Sequence, residues 1–212
     1  MSTHASSVKS RVIAYIDGFN LYFGMRDKGW RRYYWLDIEK LANGYLRDYQ
    51  VLVATKYFTS RISGPSDKKS RQDAYIDALR TRPGVSIREG KYKDKTLTCK
   101  RCNSKTLVPS EKMTDVNIAT EILVDAYQDS FDTAFLISGD SDLVPPLRHL
   151  TALFPAKRVL VLFPPERFSN DLKQAAATSL VLGEAHLRAA QFPAVITPTS
   201  GGPPITKPAH WT

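Results

Sequence analysis

Cysteine is nearly absent from this chain, with only Cys99 and Cys102 among its 212 residues. So few thiols exclude the disulfide framework on which small secreted domains depend. The expected location is therefore the reducing cytoplasm. Long apolar runs are missing too, and none approaches the ~20 residues needed to span a bilayer. The opening MSTHASSVKSR has no apolar core, so no secretory leader is expected. Histidine is scarce: His4, His149, His186 and His210 lie far apart in the sequence.

Positive charge is what the chain has in excess. Thirty Lys and Arg stand against 21 Asp and Glu, for a net charge of +9. Such a balance favours polyanionic partners. The excess is concentrated between Arg88 and Lys112, where eight cations face three acids, a net +5. A charge run is usually a solvated loop. Here the clustering favours nucleic acid, with Lys93, Lys95, Lys100, Arg101 and Lys105 following a phosphate backbone.

Apolar residues make up 42% and charged residues 24%, the balance of a globular domain. Residues 1–10 carry no pattern and read as a disordered lead-in. One domain is expected over 11–192, with a basic Cys-x-x-Cys insertion at about 92–110. From Pro193 to Thr212 the Pro, Gly, Thr and Ser content predicts a flexible tail. Strand candidates are Arg11–Asp17, Val51–Thr59, Val85–Lys91, Thr133–Ser138 and Arg158–Phe163. Helices are expected at Phe19–Met25, Leu36–Tyr49, Pro65–Arg80, Glu111–Gln128 (capped by Ser110), Ser141–Phe154, Asp171–Ala177 and Glu184–Gln191. Strands alternating with helices imply parallel pairing through crossovers. The fold class is α/β, a three-layer α/β/α sandwich with a central, mainly parallel sheet.

Two of those strands end in acids: the first at Asp17, the other at Ser138-Gly139-Asp140-Ser141-Asp142. In an open parallel sheet, ligands bind beyond the carboxyl ends of the strands. Neighbouring strands stand about 4.8 Å apart, so carboxylates at adjacent tips can share one ion. A further acid, Asp115, lies three, four and seven residues before Ile118, Ala119 and Ile122. It therefore shares the apolar stripe of its helix. The alternative is a carboxylate that only complements the helix N-terminus. Four converging carboxylates repel one another, and a divalent cation relieves the conflict. Oxygen ligands without His or thiolate select Mg²⁺ or Mn²⁺. With a basic surface, that set points to phosphodiester hydrolysis by an activated water. Near Asp17, Gly18 permits close backbone approach to a ligand, and Asn20 can orient a water or a phosphate oxygen. Ser138 can hold a carboxylate. Ordinary turn or cap roles explain Asn20 and Ser138 equally well.

Two further segments carry candidate contacts. GWRRYYW (29–35) interleaves Arg31 and Arg32 with Trp30 and other aromatics, which suits stacking on unpaired bases. Core packing is the stronger reading of those rings. Cys99 and Cys102 form half of a zinc ribbon and lack a second pair. Zn²⁺ held across a homodimer is one reading; two thiols or a local disulfide is the more ordinary one.

YIDGFNLY (15–22), EKMTDVNIATEIL (111–123) and FLISGDSDLVPPLRHL (135–150) resemble the three signature segments of the NYN domain family, also described as LabA-like. That family belongs to the PIN-like nuclease superfamily, and the likeness runs over about residues 11–165. It implies a metal-dependent ribonuclease, an endoribonuclease using Mg²⁺ or Mn²⁺. By the resemblance, Asp17, Asp115, Asp140 and Asp142 are the metal-binding and catalytic acids, with Asn20 and Ser138 as polar neighbours. The related nucleases leave 5′-phosphate and 3′-hydroxyl ends. Two alternatives stand beside this. One is a non-catalytic RNA-binding or regulatory module that keeps the acids for metal-dependent folding. The other is a haloacid-dehalogenase-like phosphatase, which needs an acid where Phe19 stands.

Overall fold

The computed structural model describes residues 9–62, 65–98, 101–199 and 201–211. The expected disordered lead-in lies outside the described residues apart from Lys9 and Ser10, and Ser10 opens the first strand. In chain order the elements are β1 (Ser10–Asp17), α1 (Gly18–Asp27), α2 (Ile38–Asn43), β2 (Gln50–Ser60), α3 (Ser66–Arg80), β3 (Val85–Thr98), β4 (Lys105–Lys112), α4 (Thr114–Tyr127), β5 (Thr133–Ile137), α5 (Val144–Leu153), β6 (Arg158–Phe163), α6 (Asn170–Ala175), β7 (Thr178–Val181) and α7 (Glu184–Ala189). The sheet order is β4-β3-β2-β1-β5-β6-β7. Six strands run parallel and β4 closes one edge antiparallel to β3.

β1 shows why the sheet is covered on both sides. Val12, Ala14 and Ile16 enter one core; Ile13 and Tyr15 enter the other. With period-2 alternation, a strand apolar at every position must be buried on both faces. The first core takes Leu21 and Met25 of α1, Ile38 and Leu41 of α2, Leu79 of α3 and Leu187 of α7. The second takes Ile118 and Ile122 of α4, Leu147 and Leu150 of α5, and Leu172 of α6. The result is the expected three-layer α/β/α sandwich. Among the described residues, no helix is long and apolar enough to cross a membrane.

Several boundaries differ from the sequence expectation. The helix predicted over Leu36–Tyr49 shrinks to α2. Asp37 caps it by accepting from the Lys40 N–H (3.1 Å), while Leu36 is drawn into a bridge with Gln191. The helix expected from Glu111 starts at Thr114, because Glu111 and Lys112 stay in β4, paired with Tyr92 and Lys91. Ser110 is thus a strand residue and not a cap; Met113, at φ 80°, makes the turn into α4. The basic insertion continues β3 into a long hairpin with β4. Before α5 the chain makes a 3-10 turn, Ser141–Leu143, so that Pro145 and Pro146 fall in the helix's first turn, where missing N–H donors cost little.

The segment from Pro193, expected to be a flexible tail, packs on the domain. Val195–Ile196 (β8) pairs with Ile205–Thr206 (β9). Trp211 is 8% exposed and meets the rings of Tyr34, Trp35 and Tyr75. One large buried indole outweighs the loop-like composition around it.

Candidate active site

The chain leaves β1 to one side through β2 and β3, then returns to build β5, β6 and β7 on the other. β1 and β5 therefore flank the switch point of the sheet, where a crevice opens beyond the strand ends. Their parallel register pairs Ile16 with Ile137. Asp17 and Ser138, each one residue further on, thus meet at the same edge.

Asp17 is 4% exposed and caps α1, its Oδ1 accepting from the Asn20 N–H at 2.9 Å. Its Oδ2 accepts from the fully buried Ser138 hydroxyl, also at 2.9 Å. The Ser138 Oγ in turn accepts from the Asp140 N–H at 3.1 Å. Asn20 ties the two strand ends together again, its Oδ1 accepting from the Gly139 N–H at 2.9 Å. Asp140 then turns the chain, its Oδ1 accepting from the Asp142 N–H at 2.9 Å. Asp140 is half-buried and Asp142 exposed. One hydroxyl thus links the β1 acid to the loop that carries the other two.

Asp115 reaches this edge from the first turn of α4. Burial raises its pKa, and the negative charges of Asp140 and Asp142 raise it further. Asp115 thus lies near enough to Asp140 and Asp142 for their charges to act on it, and Asp17 is joined to the Asp140 backbone through Ser138. Among the described residues, however, no three His, Cys, Asp or Glu side chains form a group able to encircle one ion. The donor set still fits a hard cation. Mg²⁺ takes one or two carboxylates and completes its shell with water, and the repulsion on Asp115 is of the kind that such a charge relieves.

Two glycines make the edge possible. A Cβ on Gly18 would lie 2.6 Å from the Tyr57 ring and hydroxyl and 2.7 Å from the Phe58 carbonyl. The absence of a side chain at Gly18 thus allows α1 to approach β2 closely. A Cβ on Gly139 would lie 2.8 Å from the Arg167 backbone.

Behind the site, α4 is pinned by a group that sequence reasoning missed. Lys56 of β2 contacts Asp125 (2.7 Å) and Glu121 (2.5 Å), both on α4. Tyr15 donates to Asp125 at 2.5 Å, and Arg88 donates to Glu121 at 2.6 Å. Burial, then the Asp125 hydrogen bond, pushes the Tyr15 phenol far above its usual range. The i, i+4 spacing of Glu121 and Asp125 was visible, but a lysine inside an apolar strand gives no local sign of its partner.

The expected RNA contacts fare unevenly. Arg32 donates to Glu184 at 2.6 Å and lies over the Tyr33 ring, while Arg31 meets His210. Trp30 is half-buried and meets Tyr33 edge-on, 6.0 Å between centroids. Arg31 and Arg32 are exposed and partnered, and Trp30 packs against Tyr33. In the hairpin, Arg101 is exposed at the tip. Lys93, Lys95 and Lys105 lie on the strands. Lys100 and Cys99 lie outside the described residues. Cys102 is exposed, its Sγ 3.1 Å from the Ser104 Oγ. Among the described residues it joins no group of three potential metal ligands.

A parallel sheet with carboxylates at its switch point, packed between two helical layers, defines a PIN-like α/β domain. Within that class, the chain belongs to the NYN domain family, whose profile matches residues 11–183. The family is one of PIN-like nucleases, hydrolases of phosphodiester bonds. The chain is also similar to 6-hydroxy-3-succinoylpyridine 3-monooxygenase HspA of Pseudomonas putida. The two are 26% identical across all of this chain and 78% of that enzyme. A solved structure of a protein of unknown function, VPA0982 from Vibrio parahaemolyticus, superposes with a TM-score of 0.55 at 17% identity, covering 87% of this chain and 98% of the other. At that identity the likeness bears on the fold alone.

Proposed function

We propose that this protein is a divalent-metal-dependent endoribonuclease that hydrolyses RNA phosphodiester bonds. The observation that carries the reading is the hydrogen-bonded path Asp17–Ser138–Asp140 at the sheet's switch point, with Asp115 facing it. Family membership supports the hydrolytic class. Asp140, Asp142, Asp115 and Asp17 would hold Mg²⁺ or Mn²⁺, which when bound acidifies water and stabilises a leaving oxygen. Asp17 is oriented by two hydrogen bonds, so its carboxylate is fixed before substrate arrives. Asn20 spends its carbonyl on Gly139, which leaves its amide N–H₂ to donate to a phosphate oxygen. The basic hairpin, with Arg101 at its tip, supplies attraction for the polyanion.

The test is incubation of purified protein with end-labelled RNA and Mg²⁺ or Mn²⁺, beside Asp140→Asn and a chelator control. The expected outcome is cleavage that is lost in both controls and leaves 5′-phosphate ends. Cleavage undiminished in Asp140→Asn would place the activity elsewhere. RNA bound but left intact by the unsubstituted protein would favour the non-catalytic module. The zinc-bridged homodimer is tested by metal analysis and mass in solution: zinc-free, monomeric protein removes it.

A second reading, chemistry on a small aromatic acid, is favoured by the Pseudomonas relative, whose name specifies a substituted pyridine. A protein of that kind leaves RNA intact under the same conditions.

A further inference from the structure

Beside the acid edge, between α1 and α3, lies a cavity of about 450 Å³, within the roughly 300–1,000 Å³ typical of small-molecule sites. Tyr22, Tyr34, Tyr57, Tyr75 and Trp211 line it. Three of their contacts are edge-on: Tyr34 with Trp211 at 87°, Tyr57 with Tyr75 at 81°, and Tyr75 with Trp211 at 76°.

The charged groups in the cavity's described lining are of one sign. Among the described residues its lining carries three cations, Arg26, Lys68 and Arg71, and no carboxylate. Arg26 is paired with Asp27 and Arg71 with Asp67. Lys68 pairs with no acid among the described residues. Burial, then the neighbouring Tyr22, pushes the Tyr34 hydroxyl up to about 12, so it stays a neutral donor.

Position links the cavity to the acids. Gly18 and Phe19, which follow Asp17 directly, line it. So do Tyr57 and Thr59, which flank Phe58, the register partner of Asp17.

We infer that this cavity binds a planar heteroaromatic anion, its ring held among the tyrosines and Trp211 and its phosphate or carboxylate met by Lys68 and Arg71. Flat rings stack on aromatic walls irrespective of ring identity. Lys68, the lining cation with no acid partner among the described residues, favours a negative group over a neutral one. The ligand is either a nucleotide unit placed next to the cleaved linkage or a free aromatic acid. The inference itself rests on neither functional reading.

Calorimetric titration of the full chain, without added metal, tests it with four probes: 5′-AMP, nicotinate, and their uncharged counterparts adenosine and nicotinamide. Saturable binding of at least one anion is expected, with its neutral counterpart at least tenfold weaker. Tyr22 is 39% exposed, so Tyr22→Ala should fold and weaken binding by about tenfold, as loss of one stacking face predicts. Tyr127→Ala, on α4 and 82% exposed, should leave it unchanged. Lys68→Ala should abolish the preference for the anion. Stronger binding of 5′-AMP identifies a nucleotide subsite, and stronger binding of nicotinate identifies a small-acid site. No saturable binding of either anion, or equal affinity in Tyr22→Ala, overturns the inference. Asp140→Asn should bind the anion normally while losing cleavage, so failure of one proposal is distinguishable from failure of the other.

Discussion

Replacing Ser138 with alanine removes the hydroxyl on which the two strand ends converge. Ser138 is fully buried and donates to Asp17, itself 4% exposed, at 2.9 Å. A hydrogen bond to a charged group contributes about 1.5–3 kcal/mol net. The Asp140 N–H loses its acceptor at 3.1 Å as well; for a half-buried donor this adds roughly 1 kcal/mol. Asp17 keeps its bond from the Asn20 N–H, so the carboxylate is loosened and not stripped. The sum is about 3 kcal/mol. For a chain of this size that corresponds to a Tm lowered by roughly 6–12 °C. The same change frees Asp17 to swing, and a displacement of about 1 Å at a reacting centre lowers the rate by up to ~100-fold. Thermal unfolding followed by circular dichroism gives the first quantity, and cleavage of labelled RNA at a temperature where both proteins are folded gives the second. A Tm within 2 °C of the unsubstituted protein would show that the hydroxyl is not the link between β1 and β5.

Three further outcomes follow from the same geometry. Gly18→Ala forces a methyl to within 2.7 Å of the Phe58 carbonyl, an overpacking that costs about 1–3 kcal/mol; an unchanged melting curve contradicts the contact. Trp211→Ala empties a site packed by three aromatic rings and should cost about 3–5 kcal/mol, whereas a genuinely loose tail would leave Tm unmoved. Arg11 hydrogen-bonds Asp132 and Asp129; it holds the Asp132 carboxyl below its usual range, and Lys157 followed by Arg11 does the same for Asp129. Depressed folded-state values make the contribution full above the ordinary carboxylate pKa and progressively lost as pH falls through the lowered ones. The Tm gap between the unsubstituted protein and Arg11→Gln should therefore be widest near neutral pH and shrink toward pH 3; a gap that widens in acid refutes the assignment.

Local pattern in the chain was enough to find the acids and five strands of the main sheet, but not β4 or β7. β1 from Val12 to Ile16 and β5 from Ala134 to Ile137 are unbroken apolar runs that then stop at Asp17 and Ser138–Asp142, and side-chain alternation alone requires such strands to be covered on both faces. The stripe of Ile118 and Ile122 likewise placed Asp115 toward the core side of its helix. Three short segments in order also sufficed to point to the family, because each combines an element boundary with the acid that ends or opens it.

What tertiary structure decided is who meets whom. That β1 lies beside β5, bringing Asp17 to Ser138 across 121 residues, follows from the crossover order and leaves no trace in either segment. Composition alone misjudged the end of the chain, since a single indole finding a pocket of distant rings orders a stretch rich in Pro and Gly. The same holds for Lys56, whose partners on α4 lie 65 and more residues away. Periodicity encodes which side of an element is buried; only the assembled sheet determines what it is buried against. The acid edge and the aromatic cavity beside it both arise at that second level.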